Sequence, residues 1–358
     1  FSGAEAVTLT ETSLGAATLI AIDGETSATI GATSLTMLTG TAQNVAYAVT
    51  AAGITLGGTE AVELAAGTVA AADLITIDGK TSGLVDARAA TTVTGAATAV
   101  ALALTSTGVT LSGNEAVTLT ETSLGAATLV AIDGATSATV AATTLTTLTG
   151  MTSDVLFAVT STGIALNGSE AITVNDTGTV TAEDLNMIDS KTGTVVNAIS
   201  VTQISGAATA IAQALTAHTI TFSGNEAVTL VETSLGAATL IAIDGETSAT
   251  IDASTLTTLT GSARDLAFAT TASGIALTGS VAVEVSAGTA AATDLNIIDG
   301  RTSTVVDARA ATMVTGDSAT LVVLVTATTV TLSGNEALTL TDTGTVTAAD
   351  LNTLDGLA

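Results

Sequence analysis

Between Ala116 and Thr120 apolar and polar side chains alternate, with Val117 and Leu119 on one side and Thr118 and Thr120 on the other. A period of two predicts a strand with one buried face. Elsewhere apolar residues gather in short Ala/Leu-rich stretches that end at Gly. Two of these open on a Thr followed three positions later by an acid: Thr181 with Asp184, and Thr347 with Asp350. That spacing is a capping box ahead of Leu185 and Ile188, or of Leu351 and Leu354, and it predicts short helices. Asp244-Gly245 and Asp355-Gly356 then supply helix stops.

The alternation of the two patterns is periodic over the whole chain. Gly3, Gly58, Gly113, Gly168, Gly224, Gly279 and Gly334 recur at an almost constant interval, and Gly40, Gly95, Gly150, Gly206, Gly261 and Gly316 keep the same beat. The chain is therefore one repeat array, divided as 1–55, 56–110, 111–165, 166–221, 222–276, 277–331 and a partial unit 332–358. Each unit splits into two half-units of similar length, as in 109–135 and 136–163. These features predict a solenoid of parallel β-strands with short helices, an α/β solenoid or β-helix with one half-unit per coil. Parallel strands stack ~4.8 Å apart, whereas packed helices need ~8–10 Å. Helices from every coil should therefore not fit on one straight face: either the array curves with its helices on the convex side, or like helices recur on every second coil, which the two distinct half-unit types favour. Proline is absent, which suits unbroken ladders of backbone N–H groups.

A longer rhythm of two units overlies this one. Residues 11–30 and 232–251 are identical, and the phrase ETSLGAATL returns at Glu121. Loops one residue longer, at Asn175 and Thr341, mark a tolerant surface position. Both ends of the sequence fall within the repeat pattern without a polar capping unit, which predicts a segment of a longer polypeptide or a subunit that stacks end to end.

Composition narrows the function classes. With 33 acidic and 6 basic residues the formal net charge is −27, so nucleic acid is excluded as a partner and abundant counter-cations are favoured. The absence of Cys removes disulfides and thiolate chemistry. At 47% hydrophobic but 1% aromatic, the interior must be filled by Val, Ile, Leu and Ala. No apolar run approaches the ~18 residues of a membrane span.

Candidate chemistry is copied along the array instead of gathered in one place. Asp23, Asp78, Asp133, Asp189, Asp244, Asp299 and Asp355 form a row of Asp-Gly or similar turns without the spacing of a calcium loop, and are read as helix stops. Glu5, Glu60, Glu115, Glu170, Glu226 and Glu336 share one slot that Val281 breaks, and are read as charged strand-entry positions. Lys80, Lys191 and Arg301, with Arg88 and Arg309, are expected to interrupt a like-charge ladder without strong ion pairing. His218, the lone histidine, has no nucleophile pattern beside it. Thr-x-Thr pairs such as Thr118 and Thr120 raise ice binding, but Glu63, Asn175, Val231 and Glu284 interrupt the row. On this reading there is no catalytic, cofactor-binding or metal-ligating residue to assign, and the chain is not expected to be an enzyme; a β-helical polysaccharide enzyme would need acids gathered in one unusual unit.

The phrases GNEAVTLT, AADLNTLDG and TSxxVDA followed by TTxTG resemble the tandem repeats of giant acidic surface proteins of marine picocyanobacteria and other aquatic bacteria. The resemblance covers the whole chain and implies an extracellular, structural context: a surface layer, a fibre or an adhesive stalk. The expected function is a structural segment that gives length and stiffness and continues through its ends, with an adhesin stalk or a face for cell-surface glycan as the alternative.

Overall fold

The computed structural model describes residues 3–356, so the outermost residues of the first and last repeat segments lie outside the description. By its internal contacts the chain forms two units, 1–174 with 191–194 and 175–190 with 195–358, hereafter unit 1 and unit 2. Both are built alike. Short strands of two to six residues alternate with helices of eight to ten, and all described pairings between strands are parallel. The fold is a repeated α/β pattern of solenoid type.

The predicted strand forms at Ala116–Leu119, with Val117 and Leu119 buried and Thr118 exposed. Its inward side chain joins a ladder across the sheet: Val69, Val93, Val117, Val140 and Ile164 lie in register. An equivalent row in unit 2 runs Val180, Ile204, Val228, Ile251 and Ile275. β-branched side chains suit this position because their stiff χ1 packs well on a pleated surface. Helices close the other side of the core by a three-residue rhythm, as in Ala71–Asp78, where Ala71, Leu74 and Ile77 are buried. The predicted Thr caps are present: Thr181 Oγ1 accepts from Asp184 N at 3.1 Å and Thr347 Oγ1 from Asp350 N at 3.1 Å.

Helix placement corrects the sequence-based expectation. Helices do not skip coils: in unit 1 the helices Ala16–Glu25, Ala42–Thr50, Ala71–Asp78, Ala97–Thr105, Ala126–Asp133 and Thr152–Thr160 each pack on the next. The reason lies in the register. Strand residues pair with partners that stand short of a half-unit further along the chain, as in Val7↔Ile30 and Ser13↔Met37. Helix starts advance by a full half-unit on average, from Ala16 to Ala42 to Ala71. Each coil therefore slips against the previous one by ~3–4 residues, roughly 12 Å along the strand at ~3.3 Å per residue. This shear adds to the ~4.8 Å sideways step, so successive helices stand further apart than paired strands and every coil can carry one. A consequence is that each sheet drifts obliquely through the coils, and in unit 1 new ladders begin at Ser13–Gly15, Gly67–Ala70 and Ser123–Gly125.

The second glycine series sits where this shear brings chains closest. Gly40 ends its strand at φ 146° directly against Ala16, the first residue of the preceding helix. A Cβ on Gly150 would stand 3.0 Å from the Cβ of Ala126, the equivalent pair further along the array. Small residues are required on both sides of that contact.

Candidate functional site

The Glu row is the most ordered chemical feature of the molecule. Glu60, Glu115, Glu170 and Glu226 are at most 2% exposed, so the sequence-based reading of a charged surface slot is corrected. Each precedes a strand, as expected, but turns its carboxylate back onto its own loop. Glu226 accepts from Ser223 N at 2.6 Å, Ser223 Oγ at 2.5 Å and Gly224 N at 3.0 Å. Glu115 does the same with Ser112 and Gly113, and Glu60 with Gly57 and Gly58. The first glycine series makes this cradle: Gly58, Gly113, Gly168 and Gly224 lie at φ 77 to 80°, which aims successive N–H groups at one point. At the terminal copy, burial raises the Glu336 pKa, but hydrogen bonds from Ser333 and Gly334 outweigh it and the net shift is downward.

Val281 is the informative exception. Here Gly279 lies outside the left-handed region of its counterparts, and the Val281 N–H donates to Thr278 O at 3.3 Å. Carboxylate and loop conformation change together, because without the anion the convergent N–H groups would be left unsatisfied.

Sequence reasoning missed a Thr row that ties one coil of each two-coil repeat to the coil before. Thr81 Oγ1 donates to Glu60 O at 2.6 Å, Thr136 to Glu115 O at 2.7 Å, Thr192 to Glu170 O at 2.7 Å and Thr247 to Glu226 O at 2.7 Å. The following Ser adds a second tie: Ser82 N donates to Gly58 O and Ser248 N to Gly224 O. The signal was the recurrent Thr-Ser dipeptide after the helix stop. Even where Val281 replaces Glu, Thr302 Oγ1 still donates to the Val281 carbonyl at 2.6 Å.

The Asp row ends helices at Asp78, Asp133, Asp189, Asp244, Asp299 and Asp355, but not at Asp23, where the helix runs on to Glu25. The glycine after it is not left-handed, with Gly245 at φ −72°, and Ser190 fills the same position. The side chains serve as lateral ties instead. Asp78 Oδ2 accepts from Ser106 Oγ at 2.8 Å, and a side chain at Gly108 would overlap that carboxylate. Thr219 stands where other copies have this glycine, and its own hydroxyl donates to Asp189 Oδ2 at 2.9 Å.

The remaining candidates are scattered. Arg88 pairs with Asp86, and Arg309 with Asp307 at 2.6 Å, so at these two positions the basic residue forms an ion pair as well as interrupting the like-charge ladder. Hydrogen bonding from the guanidinium, together with the backbone N–H of the same arginine, lowers both Asp pKa values to about 2. Each Asp lies opposite a Glu in the sheet, Glu63 or Glu284, so the arginine offsets two facing carboxylates. Asp252, whose neighbours are Thr229 and Ala276, is followed by Ser254 in place of arginine. His218 is exposed, with Nδ1 3.0 Å from Thr216 O. On the outer face Thr118 stands between Thr94 and Ala141, so the threonine row is two residues deep there.

Among the described residues no group of three or more His, Asp or Glu is placed to hold a metal ion, and no helix is long and apolar enough to cross a membrane. No protein-family model matches the sequence, and no curated protein matches it.

Proposed function

We propose that this chain is a structural segment of an extracellular cell-surface protein or filament, supplying length and stiffness through stacked coils. The carrying observation is the Thr tie, the same side chain to the equivalent carbonyl of the coil before, repeated once in every two-coil repeat from Thr81 to Thr302. Chemistry copied at every repeat resists deformation uniformly and creates no unique point at which a substrate would be transformed. The acidic surface suits a salty exterior, where cations screen a charge of −27. Continuation through the solenoid ends would carry the array onward.

Electron microscopy of the native surface material tests the proposal. Ordered fibres or lattices that contain this chain are expected. Isolated flexible rods with measurable affinity for cell-surface glycan would replace the scaffold with an adhesin.

A further inference from the structure

The chain has few aromatic residues, and it exposes three of them at one helical position. The sixth residue of successive helices in unit 1 reads Ala21, Tyr47, Thr76, Leu102, Ala131 and Phe157. Small and large alternate without exception along these six neighbouring helices. Tyr47, Leu102 and Phe157 are 54%, 55% and 48% exposed, so they contribute little to their own core. In unit 2 the alternation is lost, because Ile297 stands between Phe268 and Val323.

We infer that the helix face of unit 1 is a homotypic interaction surface whose occupant is the same face of a second copy of this chain. Packed helices lie ~8–10 Å apart, so apolar ridges recur roughly every 16–20 Å with a trough of Ala or Thr between each pair. A surface of alternating ridges and troughs is its own complement when displaced by one helix. Only an array with the same repeat period stays in register over several coils, which selects a second copy over an unrelated partner. Charge is sparse at the ridges: the helices Ala42–Thr50 and Ala97–Thr105 contain no charged residue and Thr152–Thr160 contains one, Asp154, whereas the trough helices carry acids, so the contact requires salt that screens them. Aromatic and aliphatic anchors on sparsely charged ridges are the composition of an interface core. This pairing is side by side and stands apart from continuation through the ends.

Sedimentation velocity of the 358-residue chain in about 0.5 M NaCl, where charge is screened, tests it. Reversible dimerisation is expected, weakened at least about tenfold by the triple substitution Y47S/L102S/F157S. Ala131→Tyr is the discriminating variant, since it adds apolar surface but fills a trough. Registered packing predicts that A131Y weakens association, and an unchanged urea midpoint shows that each variant keeps its fold. A wild-type chain that stays monomeric overturns the inference, as does association indifferent to the triple substitution or strengthened by A131Y.

Discussion

Helices Ala42–Thr50 and Ala97–Thr105 occupy equivalent places one repeat apart, yet they satisfy their first N–H groups differently. The former has its own cap: Thr41 Oγ1 accepts from Asn44 N at 3.3 Å. The latter is preceded by Ala96, whose methyl group cannot accept a hydrogen bond, and its first N–H, that of Ala97, donates instead to Glu121, downstream in the adjoining coil. Unit 2 repeats the contrast, with Ser262 capping Ala263–Thr271 from within and Glu232 capping Ala208–Thr216 from the next coil. Where the cap is local, the downstream position is Ala66 or Ala287; where it is lateral, the local position is Ala96 or Ala207. The difference teaches that equivalent helices of the array are either self-sufficient or dependent on their neighbour, without a strict alternation: Thr152–Thr160, one repeat beyond Ala97–Thr105, follows Met151, which makes no side-chain cap. Helix Ser318–Thr326 uses both, since Asp317 accepts from Thr320 N and Asp342 from Ser318 N.

The strongest way to break the contrast is Glu121→Ala, expected to cost about 2 kcal/mol in urea unfolding, the range of a charge-assisted hydrogen bond. Hydrogen exchange should then accelerate both in helix Ala97–Thr105 and in the strand Ser123–Gly125 that follows the lost side chain; faster exchange confined to the helix would mean that capping does not couple the coils. Thr41→Ala should cost about 1 kcal/mol, with exchange accelerated in Ala42–Thr50 alone. Ala96→Thr sharpens the comparison further. In the Glu121→Ala background it should recover about 1 kcal/mol, and in the wild type distinctly less, because the helix end is already satisfied. Equal gains in both backgrounds would show that the two caps are unrelated.

The smallest effect concerns the sheet face, where Asp86 and Asp307 have arginine partners and Asp252 has Ser254. A carboxyl held at about 2 against an ordinary 3.8 adds stability that is complete above about pH 4 and lost as pH falls towards 2. In the double variant R88S/R309S the folded pKa values move back towards 3.8, so the melting temperature should fall less steeply across that window than in the wild type. Identical slopes would remove the arginines from the acid response.

Much of the local structure was legible because it is written in short-range spacing. Val117 and Leu119 announced a strand, and Thr181 with Asp184 announced a helix start. The arrangement of helices was not legible, because the glycine intervals mark whole repeats of two half-units while the sheets pair short of a half-unit, Val7 with Ile30 and Ser13 with Met37. Nothing in a single half-unit states the difference. The Glu row was misread for another reason: a Glu beside Gly and Asn looks like a solvated turn, and only the left-handed glycines bring the N–H groups that bury it. Val281 held the clue, since a tolerated apolar residue is more natural at a buried slot than at a charged edge.

The obliquity of the sheets also governs how a fault would spread. In unit 1 the ladder that starts at Val7–Thr8 closes at Ile54–Thr55, while the one from Ser13–Gly15 runs on to Val109–Thr110 and another opens at Gly67–Ala70. The sheets overlap like courses of staggered brick, and no seam between neighbouring coils coincides with the end of every sheet. A coil damaged by one poor repeat would be bridged by ladders that began before it and finish after it, so that a long array of imperfect copies tolerates its own errors.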